Sequence, residues 1–406
     1  MSLTGTTEIT GPTVAASSNS GCYLHAAKDL RPEARDLPAP AKNEVQIAVR
    51  STTLCGSDVH YFQHFRNGSI QVLEPLCLGH ESAGEIVSIG SEASEKRPEL
   101  AIGDKVALEC GIPCGQCHLC KNGRYNVCPN LRFRSSGSKF PHYQGTLQER
   151  VNHPAMWVHK LPSELSFEVG ALLEPLAVSI HAVRRSQSAV LTGARDSALI
   201  FGAGAIGLLC ALALQAVGTK DIIIADIDRG RLEFAKQYGF AQVIYQVEPK
   251  RGQTLEEKKD IARETVQKIG ALKWDDGEGV GQVQRTLECT GVESCLQASI
   301  YATRNGGCVV LVGMGTPDHT LPISDVSARE ISLIPTWRYA NAYPRAIEIA
   351  TASVKREEIN GVKLAPLEKL VTHHYKGLDH VRTAFDNASK TRDADGKLIV
   401  KIAVSL

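Results

Sequence analysis

Between Glu44 and Thr53 (EVQIAVRSTT) apolar and polar residues alternate with the two-residue period of a half-buried strand, and shorter pieces at Gly84 to Ile89 and Lys105 to Leu108 stand between Gly, Asp and Pro. This pattern predicts an antiparallel, barrel-like β region. From about Leu176 the texture changes: ALIFG precedes AIGLLCALALQAVG, DIIIAD precedes RGRLEFAKQYG, QRTLECTG precedes ESCLQASIYAT, and GGCVVLVGMG follows. Apolar strands alternating with helical segments predict a parallel sheet with right-handed crossovers. The charged stretch from Glu248 to Lys268 reads as a solvated helix inside one crossover, and the weaker rhythm after about Thr336 suggests a return of the chain to the first region. Residues 1 to 20, small, polar and aperiodic, read as a disordered tail. The stretch Ser197 to Thr219 has no charged residue and the length of a membrane span. Its glycines, placed where a strand-to-helix turn needs them, and the lack of a flanking basic cluster favour a buried strand, turn and helix instead.

A length of 406 residues suffices for two domains with separate cores. Net charge is +1 with no long block of either sign, which gives no electrostatic reason to expect nucleic acid or an anionic membrane and leaves a small molecule as the natural ligand. Twelve cysteines without a secretory signal pattern at the N-terminus point to a reducing cytoplasmic setting and to metal rather than disulfides.

The cysteines divide into chemically distinct groups. Cys55 with His80 and Glu81 offers thiolate, imidazole and carboxylate, a set suited to zinc with one coordination position left for reaction. Cys114, Cys117, Cys120 and Cys128 offer four thiolates and no free position, a structural site; a nucleic-acid zinc ribbon is disfavoured by the few basic residues nearby. Gly202, Gly204, Ile206 and Gly207 belong to a G-x-G-x-x-G turn between an apolar strand and a helix, and Asp226 ends the next strand nineteen residues on. That context predicts dinucleotide binding, with an acidic residue on the ribose favouring NAD over NADP. Arg229 nearby is the one residue that would tolerate a phosphate, and Asp226 alone would also read as a surface aspartate.

The block GHESAG at 79–84, CGSDVH at 55–60, the four-cysteine run and the glycine turn, in that order, resemble the zinc-dependent medium-chain alcohol dehydrogenase family. Glu81, Tyr61, the run Leu173 to Leu176 and Arg338-Tyr339 are similar to its polyol branch, and the intact four-cysteine lobe looks closest to fungal members. The resemblance implies a Rossmann domain at 178–336 and a GroES-like β-rich catalytic domain from 21–177 and 337–406. It implies Cys55, His80 and Glu81 as ligands of a catalytic zinc, with Glu174 as a fourth ligand or the holder of a water, and a second, structural zinc on the four cysteines. Ser57 and His60 match a proton relay, with Asp58 orienting His80. Tyr61, Glu174, Arg338 and Tyr339 match polyol contacts, while Arg231, Val312, Gly313, Met314, Thr336, Trp337 and Arg338 match the cofactor side. The implied activity is NAD-dependent oxidation of a secondary hydroxyl of a sugar alcohol to the ketose, in a homo-oligomer that is often a tetramer. A threonine or simple secondary-alcohol dehydrogenase is the nearest alternative, and a non-catalytic NADH-binding sensor is the alternative of another class. Three departures bear on substrate choice: Phe62 stands where animal members have tryptophan, Ala205 replaces a common proline, and 130–144 lacks a clear counterpart.

Overall fold

The computed structural model describes residues 17–187, 193, 195–250 and 252–406. Six strands form a wholly parallel sheet in the order Val243–Gln246, Asp221–Asp226, Ser197–Phe201, Val283–Glu288, Thr303–Leu311 and Ser332–Pro335. Numbered along the chain this is 3-2-1-4-5-6, the doubly wound Rossmann arrangement, whose order reverses beside the first strand and opens a crevice at the carboxyl ends. The apolar runs are continuous because both faces are covered. Ala198 and Ile200 face one core, with Ile222 and Ile224, while Leu199 and Phe201 face another, with Ile223 and Ala225. The helix Ala205–Ala216 is apolar all round because ten of its residues are buried between the sheet and its neighbours. No described helix is long and apolar enough to cross a membrane.

The second sheet runs Val158–Lys160, Lys105–Leu108, Glu81–Ile89, Glu44–Thr53, Lys401–Ser405 and Val371–Lys376, with Arg150–Pro154 also paired to Glu44–Thr53. Its pairings are antiparallel except that between Val371–Lys376 and Lys401–Ser405. The C-terminal strand thus inserts beside Glu44–Thr53 near the chain's start. The helix Leu173–Ser186 packs against Ala205–Ala216 and against Tyr343–Lys355, and so joins the two halves.

Three expectations need correction. The strand Ser17–Ala26 shows that order begins before residue 21, while residues 1–16 lie outside the described residues. Polar side chains hold this start in place: Asn19 Nδ2 donates to Gln148 Oε1 at 2.8 Å, and Ser20 N donates to Glu149 Oε2 at 3.1 Å. The charged crossover helix spans Leu255–Gly270 rather than starting near Glu248, because Thr254 and Glu257 form a capping box that fixes its first turn. The strand expected from Gly84 begins at Glu81, because Glu81 pairs with Thr53 and Ala83 with Ser51.

Candidate metal and dinucleotide site

Cys55 follows the strand Glu44–Thr53 and precedes the helix Gly56–His64, while Glu81 opens the adjacent strand directly after His80. That neighbouring pairing gathers the three ligand atoms within 4.8 Å of one another. Asp58 is fully buried and organises the corner: its Oδ1 accepts from Ser135 Oγ at 2.5 Å and Gly79 N at 3.1 Å, and its Oδ2 accepts from Cys55 N at 3.3 Å. His80 Nδ1 lies 3.2 Å from the same carboxylate, a contact with poor hydrogen-bond geometry. Burial opposes charge on both residues, yet their mutual attraction holds the His80 imidazole well above its usual range and the Asp58 carboxyl below its own.

Glu81 is 1% exposed and accepts from the hydroxyl of Thr53 and from Lys401 Nζ, 2.7 Å from Oε1. Lys401, itself 6% exposed, also donates to Leu54 O at 2.9 Å. A buried lysine normally loses its proton, but Glu81 and Cys55 overcome the burial and raise its pKa. Glu174, near the start of the helix Leu173–Ser186, is buried and lies outside the three-residue cluster; burial pushes it up to about 7 against the pull of His80. A soft thiolate, an imidazole and a carboxylate with its countercharge supplied fit a zinc ion with an open position.

Of the expected relay, Ser57 Oγ lies 3.3 Å from Cys55 Sγ, whereas His60 faces solvent on the same helix. Tyr61 is buried, and its hydroxyl accepts from Gly137 N at 3.2 Å. Arg338 lies with its guanidinium carbon 3.3 Å from the Phe133 ring centroid, close enough to Glu174 to feel its charge. Its Nη1 is buried without a partner. Tyr339 is 3% exposed beside Tyr343.

The four cysteines of the lobe are free thiols. Cys117 and Cys120 sulfurs are 3.4 Å apart, Cys114 and Cys128 3.5 Å, Cys117 and Cys128 3.8 Å, and Cys114 and Cys120 3.9 Å. These distances are too long for disulfides, and they match the edges of a tetrahedron around one cation bound at about 2.3 Å, which are roughly 3.8 Å. The backbone N–H groups of Gln116 and Cys117 point at Cys114 and bring its thiol down to about 6. Burial instead pushes the neighbouring Cys120 thiol up to about 12, so Cys114 is the readier of the two to ionise.

On the crevice side, Gly202 has φ +101°, and a Cβ on Gly207 would sit 1.8 Å from Gly202 O, so both need glycine. Gly204 caps the helix Ala205–Ala216, leaving backbone N–H groups for an anion. Asp226 Oδ2 accepts from Ala203 N at 2.6 Å and Oδ1 from Asp228 N at 2.8 Å, which fixes the carboxylate at the strand end. Arg231 reaches to about 4.0 Å from the position of a Gly204 Cβ, with its Nε buried and unpartnered. Val312 and Gly313 donate to Glu288 O at 2.9 and 2.7 Å, while Met314 and Trp337 are exposed and Ile206 half-buried. Thr336 N donates to Leu311 O at 3.2 Å.

Several residues around these sites escape a reading of the sequence. Glu288 accepts from the backbone of Thr290 and Gly291 beside the glycine turn, and Gly291 meets Gly313 so closely that a Cβ on the latter would lie 2.2 Å from Gly291 N. Asn126 and Ser135 are further polar neighbours without a motif. Only Lys401 leaves a trace, as a charged residue opening the apolar strand KIAVS.

A dinucleotide crevice joined through one helix to a cluster of thiolate, imidazole and carboxylate defines a two-domain, metal-assisted oxidoreductase. Comparison with known proteins narrows the class. Residues 41–163 match the alcohol dehydrogenase GroES-like domain, and residues 205–352 match the zinc-binding dehydrogenase domain. Sorbitol dehydrogenase of Gallus gallus is 36% identical, with 93% of this chain and 95% of that protein aligned. L-arabinitol 4-dehydrogenase of Penicillium rubens is 39% identical, with 92% of each chain aligned. Among solved structures, an oxidoreductase of unknown specificity from Escherichia coli superposes with a TM-score of 0.78 at 27% identity, covering 96% of this chain and 99% of its own. The chain belongs to the zinc-dependent medium-chain alcohol dehydrogenase family, within its sorbitol and L-arabinitol dehydrogenase branch.

Proposed function

We propose that the protein is an NAD-dependent zinc polyol dehydrogenase that oxidises a secondary hydroxyl of a sugar alcohol to the ketose. One observation carries the reading beyond the family: near the Cys55–His80–Glu81 cluster, the wall formed by Glu174, Arg338 and Tyr339 includes an Arg338 Nη1 that is buried without a partner. A buried donor of this kind is costly unless a ligand or water meets it, and a polyol offers several adjacent hydroxyls. The sorbitol and L-arabinitol dehydrogenase relatives support the same substrate class.

In this reading Cys55, His80 and Glu81 hold the zinc, with Glu174 at its edge, and the four lobe cysteines hold a second. When bound, the metal supplies acidity to a substrate hydroxyl and the nicotinamide accepts a hydride from its carbon. This chain's own residues do the rest. Lys401 and Thr53 balance the Glu81 charge, Asp58 orients His80, and Ser57 takes up the hydroxyl proton for release towards His60 and solvent. Arg338, Tyr61, Tyr339 and Glu174 bind the remaining hydroxyls. Asp226 accepts from the adenosine ribose and disfavours a 2′-phosphate, which supports NAD over NADP. Residues 21–177 with 337–406 form the catalytic unit and 178–336 the cofactor unit, in a cytoplasmic homotetramer.

The test is NADH formation from sorbitol, xylitol, L-arabinitol, galactitol, threonine and propan-2-ol, with metal content measured on the same preparation. Turnover of polyols well above a slow turnover of propan-2-ol, at two zincs per chain, is expected. Turnover of threonine or propan-2-ol alone would discard the polyol contacts, and two zincs without turnover would leave only a sensor.

A further inference from the structure

Residues 337–341 form a strap between the last strand of the parallel sheet and the helix Tyr343–Lys355. Two of its non-glycine residues, Arg338 at φ 48° and Asn341 at φ 52°, sit in the left-handed region. Such backbone persists where the surroundings impose it.

Here the imposing contacts come largely from the four-cysteine lobe. Asn126 Nδ2 donates to Trp337 O at 2.8 Å, Asn341 N donates to Tyr125 Oη at 2.7 Å, and Asn341 Nδ2 donates to Gly123 O at 2.8 Å. Gly123, Tyr125 and Asn126 all lie between Cys120 and Cys128, inside the loop that the thiols close. Tyr125 is anchored in turn, donating to Glu109 Oε1 at 2.6 Å. On the other flank Arg184 donates to the carbonyls of Ala340 and Asn341. Asn126 is 3% exposed and its Oδ1 has no partner. Asn126, Phe133, Arg338 and Tyr339 line a cavity of about 10 Å³, which has room for one water at most.

We infer that Asn126 and Asn341 are positioning residues for substrate recognition: they tie the cysteine lobe to the strap and thereby aim Arg338 at the polyol. The inference rests on the polyol reading above. Without the Asn126 amide the Trp337 carbonyl loses its donor, the following peptide is released towards ordinary φ values, and the Arg338 guanidinium leaves the face of Phe133. The link from the strap to the Cys55–His80–Glu81 cluster runs through Phe133, which packs edge-on against His80 at 5.3 Å between ring centroids and is held by its own core, so binding of the distal hydroxyls suffers before the chemistry does.

The experiment compares wild type with Asn126→Ala, Asn126→Asp and Asn341→Gly, measuring kcat and KM for the best polyol and for propan-2-ol alongside zinc content. Asn126→Asp keeps the shape and removes the donor; Asn341→Gly keeps the left-handed backbone and removes only the tie to Gly123. The polyol KM should rise by about tenfold in both Asn126 variants, the scale of one lost hydrogen bond, and by less in Asn341→Gly. Polyol kcat, the propan-2-ol constants and two zincs per chain should be retained. An unchanged polyol KM in Asn126→Asp and Asn341→Gly would overturn the inference while leaving the polyol reading intact. Parallel losses on both substrates together with zinc loss would also overturn it, as a purely structural role. A wild type that oxidises no polyol would remove the function reading and this inference together.

Discussion

Glu81 is buried, and its carboxylate oxygens are met by the Lys401 ammonium and the Thr53 hydroxyl. Lys401→Met leaves a buried carboxylate unpaired, a change that costs on the order of 3–5 kcal/mol when a buried ion pair is broken. Its chemical unfolding midpoint should fall sharply and zinc should drop from two per chain to one; an unchanged midpoint would mean that the Thr53 hydroxyl suffices. Asp226→Ser combined with Ile227→Arg removes the carboxylate proposed to accept from the ribose and adds a cation at a position that is 64% exposed. The kcat/KM ratio of NAD to NADP should fall by at least tenfold, and a constant ratio would place ribose recognition elsewhere. The place of Asp226 at a strand end and the gathering of Cys55, His80 and Glu81 are legible in the sequence because each lies in a short local motif. The pairing of Lys401 is not, since its partner is 320 residues away and a charge opening an apolar strand does not say what it meets.

Within single elements the match between sequence and structure follows how strongly local chemistry constrains the backbone. The strands Glu44–Thr53 and Asp221–Asp226 stand where alternation and an apolar run place them, but Glu44–Thr53 is buried on both faces apart from Glu44 and Arg50, because it is a central strand. The start of the charged helix was set instead by a capping pair, Thr254 and Glu257, that a count of charges overlooks. The strand Arg150–Pro154 holds a different dependence. His153 is fully buried: Arg134 Nε donates to its Nδ1 at 3.0 Å, and its Nε2 faces Glu109 O at 3.2 Å. Only the neutral imidazole, protonated at Nε2, satisfies both contacts. Burial, then Arg134, holds its pKa well below 6.5. The unfolded chain therefore binds the extra proton as pH falls below about 6.5, and stability from this group is lost in that window at up to about 1.4 kcal/mol per pH unit. Unfolding midpoints from pH 7 to 5 should show the slope, and His153→Gln, which cannot charge, should flatten it. In the cysteine lobe, Cys117→Ser should lower the thermal midpoint and remove one zinc while disturbing kcat less than Cys55→Ser, which should abolish turnover with NADH binding preserved.

At the scale of the whole molecule, loss of metal and loss of cofactor binding should be separable. The crevice is built from parallel strands and glycine packing that need no metal, whereas turnover needs the cluster. Dialysis against a chelator should therefore abolish activity while NADH fluorescence enhancement persists; loss of both together would mean that zinc also holds the crevice. The alternation of strand and helix made the parallel sheet legible, but the insertion of Lys401–Ser405 beside Glu44–Thr53 was visible only as a weakening rhythm, because pairing between distant strands leaves no period in the sequence. That insertion sets an order of events during synthesis. The ribosome makes Cys55, His80 and Glu81 first, then the entire dinucleotide unit, and delivers the countercharge for Glu81 only when residue 401 emerges. A growing chain thus carries ligands that stay electrostatically incomplete for more than three hundred residues, and the step that completes the β-sheet is also the step that makes the metal site whole.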